Sequence, residues 1–189
     1  MSANETNVVR YRIDASRSRF TVQATASGLF SAFGHNPTIA IRGFGGDARC
    51  VPGTLEAASL LLLAQADSLA VTDKVSDKDR REIERMMRED VLEIAHYPEI
   101  VFMSASVSAN RMTQNEYRVR IDGNLSLHGV TRRCPIDAQV TVNGDSLRAR
   151  GEFSLRQTDY GIKPVSVAGG TLKVKDELEF SFDINANAD

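Results

Sequence analysis

GNLSLHGVTR, residues 123–132, and FSLRQTDYGI, residues 153–162, are the two stretches that decide the fold of this chain. In the first, Leu125 and Leu127 alternate with polar residues before a His-Gly pair, and a second run begins after that pair. In the second, a similar alternation ends at a glycine turn. Apolar residues at every second position indicate a strand with one buried face. Both stretches therefore predict strands that end in turns.

The same alternation covers most of the chain. It places on single faces Phe20 with Val22 and Ala24, Val119 with Ile121, Leu147 with Ala149, and Phe153 with Leu155. Further strands are predicted at residues 9–14, 38–49, 55–65, 100–108, 135–142 and 171–184, between Gly, Asn, Asp and Pro turn signals. The pair Asn143-Gly144 predicts a type I′ turn between antiparallel neighbours. The sequence therefore predicts an all-β, antiparallel chain of about eight strands.

One segment breaks this pattern. Across residues 77–94 the apolar side chains recur at helical spacing on one face, namely Ile83, Met86, Met87, Val91 and Ile94. Ser76 is a good N-cap, and Asp79 stands where a capping box needs an acid. We expect one inserted α-helix, packed against the strands and, if they close into a barrel, suited to closing one end of it.

Composition excludes several classes of function. Lys and Arg number 23 against 25 Asp and Glu, so the chain lacks the basic excess that grips nucleic acid. The start of the chain lacks a basic and an apolar signal region, which predicts a cytoplasmic protein. No apolar run approaches the roughly 20 residues of a membrane-spanning helix. We expect a flexible segment at residues 1–8 and a single domain at residues 9–186.

Together, the two quoted stretches resemble the paired motifs of the YceI family, and the resemblance extends over residues 11–184. Members are lipocalin-like barrels that enclose an isoprenoid or another lipid chain. The resemblance implies a lipocalin-like antiparallel β-barrel that binds, sequesters or transports a long apolar ligand without catalysis. The residues themselves leave open whether small inward positions, such as Gly123 and Gly151, make room for a cavity or only pack against large neighbours.

The inward faces and nearby loops supply the predicted ligand-binding residues. They are Phe20, Val22, Phe30, Phe33, Phe102, Leu125, Leu127, Phe153, Leu155, Tyr160, Phe180 and Phe182. A polar or phosphorylated headgroup would meet Arg156, Lys163 and His35 through charge-assisted hydrogen bonds. The alternative for Arg156 is an ion pair with Asp159 that fixes the turn.

Enzyme motifs are missing from the sequence, which has no GxSxG elbow, phosphate loop or HExxH pair. His128 is interpreted as a hydrogen-bonded turn residue, and His35 lies in a loop suited to a barrel mouth. We expect no metal and no cofactor. The alternatives are a barrel enzyme or metal-dependent hydrolase that uses His35 or His128, and a filled barrel with a structural or partner-binding role.

Two further expectations concern the surface and the cysteines. If Phe102 points inward, then Val101, Met103, Ala105 and Val107 point outward together. Such an apolar stripe is commonly covered by a partner, which predicts a homodimer. Cys50 and Cys134 lie far apart and form no metal motif, so we interpret them as ordinary small buried residues.

Overall fold

The structure is a computed structural model that describes residues 7–28, 37–167 and 172–189. These residues form thirteen strands and one α-helix, α1 (Asp77–Met86), which continues as a π-helical turn at Met87–Val91. The strands are β1 (Val9–Ile13), β2 (Arg19–Gly28), β3 (Thr38–Ile41), β4 (Phe44–Cys50), β5 (Ser59–Gln65), β6 (Leu69–Val71), β7 (Glu99–Arg111), β8 (Glu116–Leu127), β9 (Val130–Arg133), β10 (Ile136–Asn143), β11 (Ser146–Arg156), β12 (Ser166–Val167) and β13 (Leu172–Ala188).

Eight of these strands close into an antiparallel barrel. Its circuit runs β1, β4, β5, β7, β8, β10, β11 and β13, and β13 pairs with β1 to complete the ring. Along β8, buried residues alternate with exposed or half-buried ones over nearly the whole strand, because only one face meets the interior. The prediction of an antiparallel barrel of about eight strands with one inserted helix is confirmed.

The long strand β13 makes the barrel branch. Its last residues pair with β1, whereas its earlier residues pair with β2, and β2 leads on to β3 and β6. The branch extends the wall beyond the closed ring at one end. Because α1 packs beside β6, this extended wall and the helix surround the same end of the barrel.

Two predicted strands begin or break elsewhere than expected. The segment 38–49 divides into β3 and β4 at Arg42-Gly43, where the Gly43 carbonyl accepts a hydrogen bond from the Gln65 amide. The segment 55–65 becomes a strand only at Ser59, because Leu55 and Ala57 have positive φ angles, which interrupt extended structure.

Of two tight hairpin turns, one differs from the sequence prediction and one agrees with it. Between β10 and β11 the loop is Gly144-Asp145, and only Gly144 has a positive φ, so the predicted type I′ turn at Asn143-Gly144 is wrong although the hairpin is right. Between β8 and β9 both loop residues, His128 and Gly129, have positive φ angles, as a type I′ turn requires.

A β-bulge in β7 interrupts the apolar stripe that the sequence predicts. The pairing of β7 with β8 shifts register between Ser104 and Ser106. The residues that face inward therefore have even numbers before this point and odd numbers after it. Val107 consequently lines the interior instead of joining Val101 and Met103 outside. The continuous outer stripe is therefore wrong, although Met103 is 57% exposed, and the homodimer stays a prediction.

The helix agrees with its predicted face and start. The Ser76 side chain accepts a hydrogen bond from the Asp79 amide at 3.1 Å, which confirms the N-cap. Ile83, Met86, Met87 and Val91 face the barrel interior. Regular α-helix ends at Met86, eight residues before the predicted end at position 94, because the chain widens into the π-helical turn.

Tyrosines tie down loops at the end of the barrel opposite the helix. Tyr11 of β1 is fully buried, and its hydroxyl donates to the Gly144 carbonyl at 3.2 Å. The Tyr117 hydroxyl donates to the Gly53 carbonyl at 2.7 Å, in the loop between β4 and β5. These bonds hold two loops against the barrel, so this end is well covered.

Candidate functional site

An apolar cavity occupies the interior of the barrel. Its volume is about 1140 Å³, above the 300–1,000 Å³ range of ordinary small-molecule pockets. An eight-stranded barrel can be filled entirely by its own side chains, and this one is not. Nine of the predicted ligand-binding residues line the cavity: Phe20, Val22, Phe102, Leu125, Leu127, Phe153, Leu155, Phe180 and Phe182.

The other three predicted ligand-binding residues have different positions. Tyr160 is buried but does not line the cavity. Phe30 and Phe33 lie outside the described residues, as does His35 of the predicted headgroup set.

An aromatic cluster forms one wall of the cavity. Phe153 and Phe180 are cross-strand partners on β11 and β13, and their rings stack with centroids 4.7 Å apart. Phe20 pairs with Phe182 across β2 and β13 and meets Phe44 edge to face at 5.9 Å. Because neighbouring strands bring these rings together, the register of the sheet fixes the wall.

Two glycines make room for rings of this interior. A Cβ on Gly123 would lie 2.4 Å from Cζ of Phe102, and one on Gly151 would lie 2.6 Å from Cζ of Phe182. Each ring therefore occupies the space that a side chain on the opposing strand would take. The two alternatives for the small residues, room for a cavity and packing against large neighbours, are therefore both correct. The rings pack against the wall at these glycines, and this leaves the middle of the barrel open.

Polar side chains gather at the rim beside the helix. Five polar residues of the segment 73–82 border the cavity there: Asp73, Lys74, Ser76, Asp79 and Glu82. Arg49 and Ser59 border it at the other end. All of these side chains are exposed or half-buried, so they can remain hydrated while the interior stays apolar.

Gln157 is the exception, because it is a polar lining residue that is only 4% exposed. It begins a 3₁₀ turn, Gln157–Tyr160, that follows β11. Sequence reasoning missed this residue. The available signal was its spacing, since Gln157 continues the inward series of Phe153 and Leu155 at every second position.

The turn that contains Gln157 is fixed to β13. The Thr158 amide and hydroxyl donate to the Asp176 carboxylate at 2.8 and 2.7 Å, and these hydrogen bonds lower the pKa of Asp176. Burial raises the pKa of Tyr160 to about 12, with smaller contributions from Cys134 and Asp159. The turn is therefore a rigid part of the wall.

The predicted headgroup residues lie on the outside of this turn. Arg156 and Lys163 are exposed, and neither lines the cavity. Among the described residues Arg156 forms no ion pair with Asp159, so the predicted pair is wrong. The Asp159 main-chain carbonyl instead accepts a hydrogen bond from Nε of Arg132 at 2.5 Å.

The histidines take structural positions in the part of the chain that is described. Nε2 of His128 lies 2.6 Å from Oε2 of Glu93, and its ring packs 4.5 Å from that of Tyr97. The interpretation of His128 as a hydrogen-bonded turn residue is confirmed. His96 is exposed beside Tyr97, in the link between the helix and β7.

Both cysteines are free, buried and part of the cavity lining. Burial raises the pKa of the Cys50 and Cys134 thiols, which keeps them protonated and weakly nucleophilic at neutral pH. Over residues 7–28, 37–167 and 172–189, no three His, Cys, Asp or Glu residues are grouped to hold a metal ion. In the same ranges, no helix has the length and apolar character needed to cross a membrane.

Known proteins are similar to part of this sequence. A UPF0312 protein of Pseudomonas savastanoi pv. phaseolicola is 34% identical over 102 residues, which are 50% of this chain and 48% of that protein. A UPF0312 protein of Pseudomonas syringae pv. syringae matches to the same extent. The chain thus spans about half the length of the curated relatives it matches.

Solved structures resemble nearly the whole fold. BcnA of Burkholderia cenocepacia superposes with a TM-score of 0.70 at 16% identity, over 93% of this chain and 99% of that one. A polyisoprenoid binding domain from Saccharophagus degradans, implicated in plant cell wall breakdown, gives a TM-score of 0.69 at 14% identity, over 96% and 99% of the two chains. The sequence model of the YceI-like domain matches residues 11–186, and the chain therefore belongs to the YceI family.

Proposed function

We propose that this protein binds a long apolar molecule, an isoprenoid or a similar lipid, inside its barrel and carries or sequesters it without catalysis. The observation that carries the proposal is the open cavity of about 1140 Å³, which aliphatic and aromatic side chains line. The polyisoprenoid binding domain that shares this fold supports the same class of ligand.

The chemistry of the lining explains why such a ligand would bind. Moving apolar surface from water into the cavity stabilises the complex by about 25 cal/mol per Å². The aromatic wall of Phe20, Phe153 and Phe180 offers flat apolar faces, while the hydrated rim near Ser76 and Asp79 stays outside the contact. Burial would therefore provide most of the affinity, and polar groups would orient the ligand.

The proposal is tested by placing a charge in the wall. Phe153→Asp would bury an unpaired carboxylate among apolar side chains, which is strongly unfavourable for an apolar ligand. We expect it to weaken binding of an apolar fluorescent dye, N-phenyl-1-naphthylamine, by more than roughly tenfold. Gln139→Asp is the matched control, because Gln139 is exposed on the outer face and lies opposite Arg118 and Arg150.

Circular dichroism must show that both variants are folded. We expect Gln139→Asp to bind the dye like the wild type and His128→Ala to lose less than roughly tenfold, about 1.4 kcal/mol. If a folded Phe153→Asp variant binds the dye as tightly as the control does, the ligand does not occupy the barrel. Should Phe153→Asp not fold, Ala138→Phe, which fills the cavity without a charge, serves in its place and should also weaken binding.

A further inference from the structure

Gln157 is a buried polar residue in the lining of the cavity. Its side chain is 4% exposed, yet it borders a cavity whose other buried lining is apolar apart from the two thiols. A buried amide without partners costs free energy, so its hydrogen bonds need to be accounted for atom by atom.

One end of the amide is already satisfied. Nε2 of Gln157 donates to the Lys175 carbonyl at 2.9 Å. Lys175 lies where the pairing of β13 with β2 shifts register, between Val174 and Leu178, so its carbonyl is left available for this bond. In the opposite amide orientation, Oε1 would lie against the Lys175 carbonyl oxygen, and two acceptors cannot form a hydrogen bond. Oε1 is therefore the end of the amide that this bond does not use.

That remaining end has no donor among the described residues. Among the described residues, Nε of Arg88 is found fully buried without a partner, whereas Oε1 of Gln157 is not, and Gln157 borders the cavity. An acceptor that is unpaired, held in place and bordering a cavity is therefore open to whatever fills that cavity.

We propose that Oε1 of Gln157 accepts a hydrogen bond from the head of the bound molecule, which makes Gln157 a specificity-determining residue. The ligand class is then a long apolar chain that carries a neutral donor, such as an alcohol, a phenol or a primary amide. A pure hydrocarbon would desolvate Oε1 without replacing its bond to water, and a carboxylate would set two acceptors in contact. This inference rests on the proposed function, since it names the head of a ligand in the same cavity.

Two isomers of equal size separate this effect from apolar burial. 1-Decanol and 1-methoxynonane contain the same atoms, but only the alcohol can donate a hydrogen bond. We expect wild-type protein to bind 1-decanol roughly tenfold more tightly than the ether, and more tightly than decanoate, measured by displacement of N-phenyl-1-naphthylamine.

Gln157→Leu should abolish the preference by weakening binding of the alcohol while leaving binding of the ether nearly unchanged. Thr158→Val is the matched control, because it removes a hydroxyl bond to Asp176 from the same turn without touching the cavity lining. The control should keep the preference, which would show that a loosened turn is not the cause. Gln157→Met provides a second variant without the amide oxygen, in which the thioether sulfur is only a weak acceptor, for use if Gln157→Leu does not fold.

The outcomes distinguish this inference from the function on which it rests. Equal binding of both isomers by the wild type would overturn the role of Gln157 and leave apolar binding intact. A preference that persists in both folded Gln157 variants would also overturn it. If the dye itself does not bind to the protein, the proposed function is wrong, and the role of Gln157 falls with it.

Discussion

Gly151 shows how single residues set the shape of the cavity. A Cβ at this position would lie 2.5 Å from the Asp137 carbonyl oxygen and 2.6 Å from the Phe182 ring, closer than real Cβ contacts. The main-chain oxygen cannot move without disturbing the pairing of β10 with β11. A missing side chain on one strand therefore determines where an aromatic ring lies on the next.

We predict that Gly151→Ala destabilises the protein by about 1–3 kcal/mol, because the added methyl group overpacks the wall. Gly45→Ala is the matched control, since Gly45 also lies in a barrel strand but has no atom within 4 Å of its ideal Cβ position. The control should change the free energy of unfolding by less than about 0.5 kcal/mol. Urea unfolding of both variants measures the difference, and equal stabilities would contradict the packing account.

Tyr160 supplies a second prediction at this scale. Burial raises its pKa from 10.0 to about 12, so the unfolded chain loses this proton first as the pH rises. The stability that Tyr160 contributes is therefore complete below about pH 10 and is lost as the pH rises toward about 12. The tyrosinate absorbance of wild type minus that of Tyr160→Phe should titrate near 12, whereas a midpoint near 10.0 would show that the hydroxyl is hydrated.

At the scale of elements, α1 covers the free edge of β6. Oε1 of Glu84 accepts a hydrogen bond from the Val71 amide at 3.0 Å, and the Arg80 guanidinium donates to the Val71 and Asp73 carbonyls. An uncovered strand edge would leave these groups open to pairing with another chain. The helix thus completes the wall with side chains where another strand would use its main chain.

Glu84→Leu should remove the acceptor of the Val71 amide and speed its hydrogen exchange by roughly tenfold or more, since a bond to a charged group contributes about 1.5–3 kcal/mol. Glu89→Leu is the control: Glu89 pairs with Arg85 on the outer side of the helix, and its loss should leave this amide unaffected. Exchange is measured by nuclear magnetic resonance. Unchanged protection in Glu84→Leu would mean that the helix does not hold this edge.

The elements also show what a sequence can and cannot predict. Alternation predicts β8, β10 and β11 well, because each presents one face to the interior over its full length. It fails in β7, where apolar residues at positions 101, 103, 105 and 107 read as one face. A bulge adds one residue without any special amino acid to mark it, so the change of parity at Ser104 is invisible in the pattern.

The candidate site divides in the same way. Large inward residues such as Phe153 and Phe180 could be predicted, because the alternation of side chains along a strand is enough to show which of them face inward. Gln157 could not, since its role depends on the Lys175 carbonyl, eighteen residues away, which the irregularity in β13 leaves available. A free acceptor in a cavity is a property of the assembled wall.

At the scale of the whole molecule, the two ends of the barrel differ. Tyr11 and Tyr117 tie loops over one end through their hydroxyl groups, whereas polar residues of the segment 73–82 border the cavity at the other. We expect the ligand to pass through the end beside the helix, because hydroxyl bonds hold loops over the opposite end and this helix is held mainly by side chains. The central claim is that the space between these ends holds a long apolar molecule.

Native mass spectrometry of freshly purified protein tests this claim most directly. We predict a species heavier than the polypeptide by the mass of one apolar molecule, which denaturation releases and organic solvent extracts. The Phe153→Asp variant, if folded, should show the bare polypeptide mass. A wild-type protein that carries nothing, and still carries nothing after incubation with a total lipid extract, would contradict the account.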